Sequence, residues 1–132
     1  MRDFGKILDD PVTLEREAER FGKELAKKGR QIRLIYETVL KSPDLTMVKP
    51  RLNYQIARAI RDEKNDKIKQ KLVELANYIN NLVDEVRKKG TPKTEEFENA
   101  RMKLLNFLEA IVAYARYYEI LSSKVMTKVK TR

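Results

Sequence analysis

The segment Met47-Val48-Lys49-Pro50-Arg51-Leu52-Asn53-Tyr54-Gln55-Ile56-Ala57-Arg58-Ala59-Ile60-Arg61-Asp62 reads as one amphipathic helix entered at Lys49-Pro50. Proline suits a first helical turn, where its missing N–H has no intrahelical partner. The residue before a proline is pushed toward an extended conformation, which places Lys49 just outside the helix. Winding the rest at about 100° per residue separates two faces. Leu52, Ile56, Ala59 and Ile60 make a core stripe. Arg51, Tyr54, Arg58 and Arg61 fall on the opposite side, three guanidinium groups with a phenol ring among them. Arginine forks match phosphate oxygens and a flat ring can take a base, so this face suits a polyanion. The same pattern also describes an ordinary solvated helix face.

Working outward, the remaining chain repeats the helical period. Asp10-Pro11 is an N-cap followed by a first-turn proline, and Leu14, Ala18, Phe21 and Leu25 follow at helical offsets. Gly29 is placed to end this helix, 11–28, in the left-handed conformation. A second helix covers 31–41, with Ile32, Ile35, Tyr36, Val39 and Leu40 on its apolar face and Arg30 and Arg33 beside it. The short link raises a DNA-binding helix-turn-helix, but a recognition helix needs several polar residues that reach base edges. This one is mostly apolar, so two packed helices are the simpler reading.

Ser42-Pro43-Asp44-Leu45-Thr46 is a loop by its turn residues. After the 50–61 helix, a fourth covers 68–88, with Ile68, Leu72, Leu75, Ile79, Leu82, Val83 and Val86 on its apolar side, and Gly90 stops it. The last, 92–121, is capped at Thr91-Pro92 or Thr94. Its face, built on Phe97, Leu104, Leu108, Ile111 and Ala115, is broad enough for the most buried helix of the fold. Tyr114, Tyr117 and Tyr118 near its end are read as core or interface rings before base-stacking ones. Residues 123–132 form a basic tail expected to fray. No segment alternates as a strand does. The expectation is a single all-α domain, a small bundle of about five helices.

Between Pro50 and Gly90 there is neither Gly nor Pro. Only Glu63-Lys64-Asn65-Asp66 suggests a bend, and none of these residues forbids a helix. If the segment stays helical, the two flanking helices fuse into a rod whose exposed apolar faces need a second copy. If it bends, the same helices fold back into one compact monomer; the isolated protein is expected to take the extended, segment-swapped dimer form readily.

The composition narrows the chemistry. The chain has 132 residues, no Cys, no His and no Trp. Without Cys or His it lacks thiolate chemistry, the usual zinc ligands and the usual neutral-pH general base. Carboxylate sites stay open, but Asp9-Asp10 and Glu95-Glu96 sit where helices begin, and acidic residues there complement the helix dipole. Asp62, Glu63 and Asp66 are interrupted by Lys64 and Lys67 and read as a solvated turn. The expectation is no catalytic residue, no metal and no cofactor. Twenty-nine basic against 20 acidic residues give a net charge of +9, which favours nucleic acid as partner. No apolar run is long enough for a signal peptide or a membrane span, so the expected location is the cytoplasm.

Two stretches resemble one known family. Lys49-Pro50-Arg51-Leu52-Asn53-Tyr54-Gln55-Ile56-Ala57-Arg58 resembles the Lys-Pro–x–x–x–Tyr–x–x–Ala-Arg signature of the small subunit of type III-A CRISPR effector complexes, the Csm complexes. Phe107-Leu108-Glu109-Ala110-Ile111-Val112-Ala113-Tyr114 resembles the aromatic-rich helix that ends the same family. The resemblance spans about Gly29 to Tyr118. It implies an all-helical, non-catalytic subunit beside the repeated backbone subunits of a ribonucleoprotein filament, contacting guide RNA and target RNA through phosphates. Lys49, Tyr54 and Arg58 carry over from the motif as RNA-binding residues, and helix geometry adds Arg51 and Arg61. The alternative is a stand-alone small basic protein associated with DNA.

Overall fold

The computed structural model describes residues 3–130, with side chains as far as Ser123. Six α-helices and one 3-10 turn occur among them, and no strand. They are α1 (Phe4–Asp9), α2 (Pro11–Glu24), the 3-10 turn Ala26–Lys28, α3 (Gly29–Leu40), α4 (Val48–Arg61), α5 (Asp66–Lys89) and α6 (Glu95–Lys130). The all-α reading therefore holds, and α6 packs along α2, α3 and α5 as the central helix. No helix among the described residues is long and apolar enough to cross a membrane.

Helix α1 was not anticipated. Asp3 caps it by accepting from the Lys6 amide at 3.1 Å. Asp10 ends it and begins α2, accepting from the Val12 amide at 3.1 Å and the Thr13 hydroxyl at 2.6 Å. Its work is aromatic packing. The ring of Phe4 meets Tyr78 of α5 edge-on at 5.0 Å, and Tyr78 stacks on Phe107 of α6 at 5.4 Å. Phe21 of α2 closes the group, edge-on to Tyr78 at 5.3 Å. Such pairs contribute about 0.5–1.5 kcal/mol each beyond the area they bury.

Gly29 is not a left-handed cap. Its φ is −56° and it opens α3. The break lies earlier, at Leu25 (φ −115°, ψ 29°), whose side chain is buried. The 3-10 turn then redirects the chain with no residue at positive φ, so no glycine is required there. The second helix begins at 29, not 31, and Leu40 is exposed rather than part of its core face.

The C-terminus of α3 is closed by Arg101 of α6, a buried guanidinium that donates to the carbonyls of Val39 (3.2 Å), Leu40 (2.9 Å) and Ser42 (3.3 Å). A cation there complements the helix dipole. The following loop carries Leu45 and Met47 at positive φ. It is pinned by the Ser42 hydroxyl donating to Thr46 O (2.7 Å) and by Arg87 donating to Leu45 O (3.1 Å).

Helix α4 starts at Val48, so Lys49 lies inside its first turn instead of just outside. The left-handed Met47 makes the entry, and Pro50 still occupies a turn whose amides need no intrahelical partner. The chain bends after α4. Asn65 caps α5 by accepting from the amides of Lys67 (2.9 Å) and Ile68 (3.3 Å), and Glu63 accepts from the Asn65 amide at 3.0 Å. The α4 and α5 helices consequently pack together in a compact bundle.

Thr94, rather than Thr91-Pro92, starts α6, accepting from the Phe97 amide at 3.3 Å. The helix passes Leu121 and continues to Lys130, because no Gly or Pro follows Pro92. The backbone of the expected frayed tail is thus helical to Lys130. The side chains of its cations, from Lys124 on, lie outside the described residues.

Candidate nucleic-acid interface

Leu52, Ile56 and Ala59 bury the inner side of α4, and Ile60 packs partly against the same core. Polar ties hold both flanks. Gln55 donates to the Thr38 hydroxyl of α3 at 2.8 Å, and the Asn80 side chain of α5 donates to Asn53 Oδ1 at 3.0 Å. The outward strip is left to solvent, and Arg51, Tyr54, Arg58 and Arg61 are exposed along it, beside Pro50, Asn53 and Ala57.

Within that strip the Arg58 guanidinium carbon stands 5.8 Å from the centroid of the Tyr54 ring, within the range of a cation–π contact. The ring itself is 64% exposed and keeps a face free for stacking. Arg61 Nε approaches Asp62 Oδ1 at 3.3 Å, but both side chains are more than two-thirds exposed. Exposed ion pairs of this kind contribute little and exchange readily for a phosphate. The stripe is therefore a basic surface on a rigid helix, with one aromatic ring among its cations.

Lys49 stands apart from the other four. It lies on the core-side rim of α4, where its ammonium pairs with Asp84 of α5 at 2.5 Å. It faces the seam between the two helices. Sequence reasoning missed a second gathering of charge. Lys27, Arg30, Arg33 and Arg116 line one cleft between the start of α3 and α6. No local signal unites them, because Arg116 is distant in sequence and only the α3–α6 packing brings it there.

The other marked residues have structural explanations. Tyr118 donates to Glu19 of α2 at 2.7 Å and Tyr114 to Glu15 at 3.4 Å. The hydrogen bond to Glu19 raises the Tyr118 pKa, and desolvation followed by the Glu15 charge raises that of Tyr114. Both phenols stay protonated and tie α6 to α2, in keeping with an interface reading. Tyr117 is exposed. Asp9 binds Lys89 (3.0 Å) and Lys103 (3.2 Å), and Asp10 caps α2. No group of three or more His, Cys, Asp or Glu side chains is placed to hold a metal among the described residues.

A family model described as Csm2 Type III-A matches residues 9–120. No curated protein and no solved structure matches the chain.

Proposed function

The chain belongs to the Csm2 Type III-A family, and from that premise we propose that it is a non-catalytic, RNA-binding subunit of a type III-A CRISPR ribonucleoprotein. The family assignment makes it a structural subunit of that effector complex, associated with the other Csm subunits. RNA contact is the finer reading, and the outward stripe of Arg51, Tyr54, Arg58 and Arg61 is the observation that supports it. Three guanidinium groups on a rigid helix suit the phosphates of guide RNA and target RNA, and Tyr54 adds a stacking face. Lys49, held at the α4–α5 seam by Asp84, keeps donors for a phosphate at the edge of the same surface.

Contacts of this type read backbone, not bases, so sequence recognition is left to pairing between guide and target. In this reading, cleavage belongs to other subunits of the complex. The stand-alone DNA-associated alternative has no specific support beyond net charge.

The test is fluorescence anisotropy of the full chain with two RNA strands of unrelated sequence. Equal affinities are expected, and Arg51→Ala/Arg58→Ala/Arg61→Ala should weaken both alike. That variant should also flatten the dependence of log K on log salt by about 0.7 per lost contact to a single strand. Unchanged binding by a variant of unchanged helicity would refute the reading.

A further inference from the structure

The cleft between the start of α3 and α6 has a volume of about 610 Å³ and is lined by Lys27, Gly29, Arg30, Arg33, Arg116 and Glu119, among others. Four of these six carry positive charge. The one carboxylate is engaged by Arg116 at 3.0 Å. No ion pair holds Lys27, Arg30 or Arg33 among the described residues. Helix α3 opens into this region without a side-chain cap. Its N-cap is Lys28, and no acidic residue stands in its first turn. A Cβ placed on Gly29 would meet nothing within 4 Å, so the peptide there is open to approach. Helix starts ordinarily carry an oxygen-bearing cap, which satisfies free amides and complements the dipole. Here four cations surround a start that lacks one, and the combined field favours an anion.

Position links the cleft to the α4 stripe. Lys28, just before α3, pairs with Glu63, just after α4, at 2.5 Å. The end of α4 that carries Arg58 and Arg61 therefore lies at the same end of the bundle as the start of α3. We propose that the cleft is a second phosphodiester-binding zone, continuous with the α4 stripe around the Lys28–Glu63 seam, so that one RNA strand is held at both. The inference rests on the RNA-binding reading and extends it from one helix face to a track on three helices and the 3-10 turn. The cleft's cations and single carboxylate offer no aromatic ring and no side-chain amide, so the zone grips backbone without reading bases.

The test uses the full chain and a fluorescent 24-nucleotide single-stranded RNA, titrated at several salt concentrations. Arg30→Ala/Arg33→Ala/Arg116→Ala should weaken binding at least about tenfold at low salt. It should flatten the salt slope by about 2, at about 0.7 per phosphate contact. The loss should add to that of the stripe variant. Glu119→Gln provides a reading that misfolding cannot imitate, since removing the one carboxylate should tighten binding by about two- to fivefold. If the stripe variant loses RNA while the cleft variant and Glu119→Gln both bind like the unmodified chain, the cleft proposal is overturned and the stripe stands. If the stripe variant binds normally while the cleft variant does not, a continuous track is overturned together with the stripe reading. Calorimetry with inorganic phosphate adds a last arm. Stoichiometric phosphate uptake abolished in the cleft variant, with an unchanged RNA salt slope, would make the cleft a small-anion site and overturn the proposal.

Discussion

Gly22 of α2 lies directly against Tyr114 of α6. A Cβ built on the glycine would fall 2.5 Å from the Tyr114 Cβ and 2.9 Å from the Ala115 backbone nitrogen. Neither neighbour is the free end of a flexible side chain, so the two helices must separate to accept a methyl group. Gly22→Ala should destabilise the fold by about 1–3 kcal/mol, the usual cost of overpacking, even though alanine is the better helix former. Denaturant unfolding is the check. A neutral or stabilising result would mean that the α2–α6 crossing is looser than described.

Leu108 is fully buried in the middle of α6. Leu108→Ala should cost about 2–5 kcal/mol, the range for a buried leucine replaced by a cavity. A loss below about 1 kcal/mol would place α6 at the periphery, because exposed positions usually change stability little.

Four carboxylates are held below their ordinary range and contribute to the acid dependence of stability. Asp9 is held below its ordinary pKa by hydrogen bonds from Lys89 and Lys103, and Asp10 by the Thr13 hydroxyl. Asp44 is lowered by the Thr46 amide, and Glu63 by Lys28 followed by the Asn65 amide. A carboxylate depressed in the folded state stabilises above its unfolded pKa, near 4, and that contribution is lost as pH falls through the folded value. Stability should therefore be level from neutral pH to about 5 and fall below about 4. Asp9→Asn should reduce the slope of that fall, and added salt should shrink the difference because the pair is exposed. An acid limb identical in the variant would contradict the role given to Asp9.

The bend after α4 rests on a small set of groups. Asn65 caps α5, and Glu63 holds both the Asn65 amide and Lys28. No proline or glycine enforces it. Opening it would fuse α4 with α5 and expose Leu52 and Ile56, which a second copy could cover by exchange. Glu63→Ala/Asn65→Ala should raise the fraction of extended dimer in small-angle scattering at high protein concentration. A compact monomer at every concentration in both proteins would rule out the swap.

The parts of this fold legible in the sequence are those written in periodicity. The core stripes of α2 through α6 follow from apolar spacing, and Asp10-Pro11 marks a helix start that the structure repeats. Helix α1 escaped because six residues are too few to show a period, and its value lies in Phe4 reaching Tyr78, a contact remote in sequence. Gly29 misled because a glycine after an apolar run signals a helix end, whereas Leu25 made the break by turning into the core. Lys49 lies inside α4 because the helix starts two residues before Pro50, and the pre-proline restriction is a preference that a left-handed Met47 can override. Arg101 carries no local signal, and only packing reveals it as the cap of α3. At the candidate interface the α4 stripe was readable from one helix, while the cleft of Arg30, Arg33 and Arg116 needed two helices to meet.

The central claim is that the α4 stripe holds RNA inside a Csm complex, and reconstitution tests it most directly. A Csm complex lacking its small subunit is supplied with this chain or with its Arg51→Ala/Arg58→Ala/Arg61→Ala variant, and target RNA binding is measured. The account predicts that the unmodified chain restores binding, and that the variant joins the complex but restores at most about a tenth of the affinity. Full restoration by the incorporated variant would contradict it.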